Sequence, residues 1–217
     1  MLDKIAIYQI NLDARADRWE QCLANHQATG FDALDIRRFA AVRDAENGAL
    51  GCAKSHLKAL TQFIADDARD YCMILEDDFD FNVTPSQLQE KIDAVAAANL
   101  RWDVLLLSAT LLLKFPTSLP FLANVFEART TAGYIVRRSY APRLLANFAE
   151  SVAHLQKFRT MQPAEAFRER FAIDVHWQNL QRSDLSWYIF TPGVGMQRPS
   201  FSDIEGRHVD YKDASAI

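Results

Sequence analysis

The chain has 217 residues, a formal net charge of −4, 49% hydrophobic residues and 24% charged residues. That is enough apolar material for one folded domain, and the charge content is that of an ordinary globular protein rather than a disordered chain. The acidic balance gives no support for a basic nucleic-acid face, though it leaves room for a local basic patch, and no apolar run reaches the ~20 residues of a membrane-spanning helix.

Residues 5–10 read as a buried strand, and Asn11 or Asp13 is placed to cap a helix over residues 14–28 that Gly30 ends. Residues 36–40 form a second short strand, and Asn47-Gly48 marks a turn. A helix follows over residues 52–65, with Ala53, His56, Leu57, Leu60, Phe63 and Ile64 at helical spacing. Tyr71, Cys72, Met73, Ile74 and Leu75 form a continuous apolar run, the pattern of a strand buried on both faces. Pro85 opens a helix to residue 98. Residues 102–107 read as a further buried strand and 115–120 as a loop with two prolines. Strands over 124–128 and 132–136, helices over 140–155 and 164–171, and a last strand over 187–190 complete the chain. The segment after Pro192 reads as irregular, with residues 193–217 an extended tail over the site. Alternating strands and helices predict a single α/β domain with a mostly parallel sheet, which places its ligand at the carboxyl ends of the strands.

Cys22, Cys52 and Cys72 are odd in number and lack CxxC spacing, so they read as buried reduced thiols of a cytosolic protein. The first residues are too few and too polar before Asn11 to form a signal peptide. Seven glycines leave no phosphate-cradling loop, and Gly193-Val194-Gly195 lacks the third glycine of a dinucleotide fingerprint. A phosphate ligand therefore needs another holder, and a metal ion is the obvious one.

Four carboxylates, Glu76, Asp77, Asp78 and Asp80, follow the apolar run within five residues, with Phe79 and Phe81 interleaved. Carboxylates this close raise one another's pKa, and a cation offsets the repulsion. If the segment is extended, Asp78 and Asp80 share one side and suit a hard divalent ion that completes its shell with substrate phosphates.

Ile74-Leu75-Glu76-Asp77-Asp78 resembles the acidic motif of glycosyltransferase family 25, the bacterial lipooligosaccharide galactosyltransferases and their collagen-modifying relatives. Three further segments resemble that family in the same order. They are Asn11-Leu12-Asp13-Ala14-Arg15-Ala16-Asp17-Arg18, Gly51-Cys52-Ala53-Lys54-Ser55-His56 and Ser202-Asp203-Ile204-Glu205. One departure is Ala49-Leu50, where the family often carries Gly-Glu. The resemblance implies a single GT-A-like (Rossmann-like) nucleotide-diphospho-sugar transferase domain. It implies a UDP-sugar donor, Mn²⁺ or Mg²⁺, and inversion at the sugar carbon. It points to a hexose, galactose first, and to a saccharide or glycolipid acceptor in lipopolysaccharide or other surface glycan synthesis. The implied location is the cytoplasm, with peripheral contact at the inner membrane.

On that basis Asp78, Asp80 and Asp203 are the candidate metal ligands, with His208 the alternative to Asp203. Asn11, Arg15, Arg18, Ser55, Glu76, Asp77 and Ser202 are the candidate donor contacts, since arginine forks and a hydroxyl near a helix start suit phosphate. The competing description is a capped helix with arginines on its exposed face. Asp174 is the candidate base for the acceptor hydroxyl, or else the N-cap of a helix over 175–182; His176 and Trp177 are the candidate acceptor contacts. Two other functions stay open. Asp78-Phe79-Asp80-Phe81-Asn82-Val83 partly resembles the nucleophile motif of haloacid-dehalogenase phosphatases, and a non-catalytic nucleotide-sugar-binding module would share the same fold.

Overall fold

Buried, near-continuous apolar strands separated by amphipathic helices build a three-layer α/β domain, seen in a computed structural model that describes residues 1–66, 68–161, 164–202 and 207–209. The first part runs β1 (Ile5–Asn11), α1 (Ala16–Thr29), β2 (Ile36–Ala40), α2 (Gly48–Asp66), β3 (Tyr71–Glu76), β4 (Phe79–Phe81) and α3 (Pro85–Ala97). Then come β5 (Val104–Pro116), β6 (Leu122–Arg137), α4 (Ala141–Lys157), α5 (Ala164–Phe171), α6 (Ile173–His176), α7 (Gln178–Asp184) and β7 (Trp187–Phe190). Three short strands follow: β8 (Gly195–Gln197), β9 (Ser200–Ser202) and β10 (Arg207–Val209).

The main sheet has the order β2-β1-β3-β6-β5-β7. β1 runs parallel to β2 and β3, and β5 runs parallel to β7, while β6 opposes its neighbours. The sheet is thus mostly parallel, as the alternating pattern predicts. Both faces are covered: Ala6, Tyr8, Ile10 and Ile74 join the cluster with Leu60, Leu144 and Phe148, while Ile5, Ile7, Met73 and Leu75 join the one with Leu88, Ile92 and Val95. Alternation along each strand sends successive side chains to opposite layers.

Several elements differ from the sequence reading for local reasons. α1 starts at Ala16 with Arg15 as an N-cap that makes no side-chain capping bond. Asn11 does not cap it, because its Nδ2 donates to Asp77 Oδ2 (2.8 Å) and to the Arg15 carbonyl (3.1 Å). Asn47-Gly48 is a helix start rather than a turn, since the Leu50 amide donates to Asn47 Oδ1 at 3.1 Å and α2 begins four residues early. The two strands read over 124–128 and 132–136 are one strand, β6, whose pairing with β5 shifts register between Ser108 and Thr110. Thr130 sits in that irregular stretch at φ 70°, strained for a β-branched residue. The predicted irregular tail contains β8, which pairs antiparallel with β4, and the β9–β10 pair. Among the described residues no helix is long and apolar enough to cross a membrane.

Candidate active site

β1, β2 and β3 are parallel, so their carboxyl ends share one edge of the sheet. The chain passes from β1 to β2 on one side and returns to β3 on the other, and the strand order reverses between β1 and β3. Such a reversal opens a crevice at the carboxyl ends, the general ligand position of open α/β sheets. A cavity of about 380 Å³ lies there, within the size range of small-molecule sites. Three segments far apart in sequence line it: Asn11, Arg15 and Arg18; Gly51, Cys52, Ser55 and His56; and Glu76, Asp77 and Asp78.

The residues after β3 form a turn at Asp77-Asp78 rather than a continued strand. Asp78 and Asp80 consequently do not present a shared carboxylate pair, and the proposed pairing is corrected. Asp80 is held by Arg198, whose Nε and Nη2 donate to its two oxygens at 2.9 and 2.5 Å. Asp77 accepts from Arg18 Nη1 at 2.7 Å and from Asn11 Nδ2 at 2.8 Å. Asp78 differs from both. Its Oδ2 accepts from Gln197 Nε2 at 3.1 Å and lies 3.7 Å from Arg18 Nη1. Its buried Oδ1 has no hydrogen-bond partner among the described residues. Burial first, then repulsion from Glu76, pushes the Asp78 carboxyl up to about 7.

Glu76 ends β3 and points at α2. Its Oε1 accepts from Thr131 Oγ1 at 2.6 Å and faces His56 Nε2 at 3.2 Å. Burial works to raise the Glu76 carboxyl, but the bond to His56 and its charge outweigh that and hold it below the usual range. The other His56 nitrogen, Nδ1, lies 3.1 Å from the Tyr134 hydroxyl. Cys52 stands one turn before His56 on α2, and the Cys52, His56 and Glu76 ligand atoms all lie within 4.8 Å of one another. Burial, with the Glu76 and Asp174 charges adding to it, pushes the Cys52 thiol well up.

The Gly-Cys-x-x-Ser-His stretch has a structural logic. A Cβ on Gly51 would come 2.8 Å from the Val42 carbonyl oxygen, so the glycine lets the loop of residues 41–45 lie on α2. Ser55 pins that loop by accepting from the Val42 amide at 2.8 Å while donating to the Gly51 carbonyl at 2.7 Å. Ser55 lies in the second turn of α2 with its hydroxyl engaged in this way, so it does not offer the phosphate donor read from sequence. Leu50 is fully buried, which explains an apolar residue at that position.

Other expected site residues fall elsewhere. Trp177 is fully buried and donates from Nε1 to the Ala128 carbonyl at 3.0 Å, so it is core and not a sugar platform. His176 is buried between Phe171 and His154 and faces Glu150 at 3.3 Å, outside the cavity lining. Asp174 is not a cap of one helix over 175–182; it lies in α6, which is separate from α7. Its Oδ2 accepts from the Thr130 amide at 3.1 Å, it does not line the cavity, and burial raises its carboxyl. Ser202 and His208 lie in β9 and β10, whose side chains are not described, and Asp203 lies outside the described residues.

Sequence reasoning missed Gln197, Thr130, Thr131, Tyr134 and Arg198. Thr130 Oγ1 donates to Gln197 Oε1 at 3.0 Å, and Gln197 in turn holds Asp78. The strained Thr130 thus joins Asp174 to Asp78 through one hydrogen-bonded chain. No local spacing signals these contacts, which span up to 119 residues. Cys52 and His56 carried a legible signal, four apart on one helix face. Arg43 also lines the cavity and makes no ion pair or hydrogen bond among the described residues.

No family model and no curated protein sequence matches the chain. In fold it is similar to A197 from STIV, at 11% identity over 94% of this chain and 92% of that one, with a TM-score of 0.51. Weaker similarity links it to mannose-1-phosphate geranyltransferase from Thermus thermophilus, at 9% identity, 93% and 76% coverage and a TM-score of 0.47. A glycosyltransferase involved in glycosylation of the major capsid of PBCV-1 aligns at 9% identity, with 87% and 93% coverage and a TM-score of 0.41. At such identities the likeness to A197 is one of fold alone: a single α/β domain with a mostly parallel central sheet.

Proposed function

We propose that this protein is an inverting glycosyltransferase that moves a hexose, galactose first among them, from a UDP-sugar to a hydroxyl of a saccharide or glycolipid acceptor. The observation that carries this reading is convergence. Three segments that separately resemble glycosyltransferase family 25 line one cavity at the strand-order reversal.

Arg43, exposed on the cavity lining, supplies positive charge and a planar fork for a diphosphate, whereas the Arg15 fork on the same lining is held by Asp17 at 3.0 Å. Asp78 is the acid–base group. Its carboxyl is pushed up to about 7 and has a buried oxygen without a partner among the described residues. In the reaction the acceptor oxygen bonds to the anomeric carbon as the bond from that carbon to the diphosphate oxygen breaks. The acceptor proton passes to Asp78, and the diphosphate leaves with the bonding electron pair. This moves the base from Asp174 to Asp78, because the Asp174 oxygen facing β6 is already bonded to Thr130. Arg198 already occupies both oxygens of Asp80, so a Mn²⁺ or Mg²⁺ set of Asp78, Asp80 and Asp203 would require that pair to break, and no step here runs through such an ion.

The test is UDP release from a panel of UDP-sugars with saccharide acceptors present. Turnover of one donor is the expected result, with kcat/KM rising through a limb near pH 7. Asp78→Asn is expected to lower it by about 10²- to 10⁴-fold. Binding of donors with no turnover for any acceptor would make the protein a binding module. Release of phosphate from simple phosphate esters, with no donor turned over, would replace transfer by phosphatase activity.

A further inference from the structure

We infer that Cys52, His56 and Glu76 form a zinc site on the wall of the cavity. The inference places a metal in the cavity assigned above to sugar transfer, but its readout is metal binding, which needs no sugar.

Geometry comes first. Cys52 and His56 stand four residues apart on α2 and face Glu76 at the end of β3. Their ligand atoms lie within 4.8 Å of one another. The His56 Nε2 to Glu76 Oε1 separation of 3.2 Å is close to the edge of a tetrahedron whose metal bonds are about 2.0–2.3 Å. All three residues line the cavity, so the fourth position faces its interior. Three protein ligands and one open position is the pattern of a reactive zinc site rather than a closed structural one.

The supporting contacts are those a metal site needs. The Tyr134 hydroxyl lies 3.1 Å from His56 Nδ1, which orients the ring and leaves Nε2 to the cavity side. The Thr131 hydroxyl donates at 2.6 Å to Glu76 Oε1, the oxygen that also faces His56, and fixes its position. Thr131 and Tyr134 are both buried, so these bonds are shielded from solvent.

Ligand chemistry selects the ion. A thiolate beside an imidazole favours zinc over magnesium or manganese, which prefer all-oxygen shells. Zinc binds cysteine as the thiolate, so binding releases the thiol proton. When bound, zinc supplies a Lewis acid beside Asp78, at the place where an anionic ligand would enter.

The experiment uses the full chain, stripped by a chelator and titrated with Co²⁺ alone as a visible probe. The expected result is one ion per chain with a thiolate-to-cobalt charge-transfer band, bleached by stoichiometric Zn²⁺. Cys52→Ala is expected to remove the band, Cys22→Ser to keep it, and Tyr134→Phe to weaken affinity about 10-fold. An unchanged band in Cys52→Ala, or no band in the wild type, overturns the site. If Cys52→Ala fails to fold, alkylation of wild-type Cys52 decides instead: protection by Zn²⁺ supports the site, and equal labelling with and without Zn²⁺ overturns it. A chain that shows the band but turns over no UDP-sugar would keep this site and refute only the transfer reading.

Discussion

Asp77, Asp78 and Asp80 are three aspartates within four positions, yet each meets a different environment. Asp77 and Arg18 are a buried pair at 2.7 Å, with side chains each about one-tenth exposed. Arg18→Ala leaves the Asp77 charge buried against Asn11 alone, and a loss of about 3–5 kcal/mol in denaturant titration is expected. Adding Asp77→Asn should recover part of it, because the stranded charge is gone. Asp78 has the opposite sign. Its folded pKa stands above its unfolded one, so the folded state binds more protons between about pH 4 and 7 and stability falls as pH rises through that window. Asp78→Asn should therefore be more stable than wild type at pH 8, by up to about 4 kcal/mol, and equal to it near pH 4. Thermal melts of the chelator-stripped chain at both pH values check this. A variant that is both more stable and inactive would mark Asp78 as a residue kept for chemistry.

Phe79 is the hinge pin of the element that carries these acids. It is fully buried under the turn, stacked edge-on to Phe81 at 5.0 Å, and two glycines make room for it. A Cβ on Gly133 of β6 would come 2.7 Å from the Phe79 ring, and one on Gly195 of β8 would come 2.1 Å from it and 2.7 Å from the Asp80 carbonyl. Gly195→Ala should therefore push β8 off β4 and shift Gln197 and Arg198 away from Asp78 and Asp80. A cost of about 1–3 kcal/mol is expected from such overpacking. Phe79→Leu added to Gly195→Ala should offset only the ring clash, so a double-mutant cycle should show coupling between the two positions. The alternation of acid and phenylalanine in the sequence is thus a packing device: the rings anchor a short strand while the acids point to the cavity or to Arg198. The helix α2 works similarly, with Gly51 and Ser55 seating the loop of residues 41–45 and His56 reaching β3.

Across the whole molecule, carboxylates act on stability from both sides. Asp184 joins α7 to α4 through Arg143, at 2.7 and 2.6 Å, and through the Tyr140 hydroxyl. Burial would raise its carboxyl, but the Arg143 bonds outweigh that and hold it at about 2. That stabilisation is present above the unfolded pKa and is lost as pH falls from about 4 towards 2. Asp78 removes stability as pH rises from about 4 to 7. Asp184 thus contributes an acid limb below about pH 4, and Asp78 contributes a decline from about pH 4 to 7. A Tm profile from pH 2 to 8 tests it. The Asp184→Asn profile should have a shallower acid limb, while the Asp78→Asn profile should decline less towards neutrality.

The α/β class and most strand and helix positions were legible in the chain, because burial patterns are local. The run of residues 71–75 is a strand wherever it packs, and Pro85 starts a helix through its own backbone. What each acid does was not legible. Extended geometry would have paired Asp78 with Asp80, but a turn, an arginine from residue 198 and a glutamine from residue 197 separate them. Trp177 looked available to a sugar, and only packing beneath β6 shows that it is core. Partners supplied by contacts more than a hundred residues apart set charge, burial and exposure, and those quantities exist only once the sheet has closed around them.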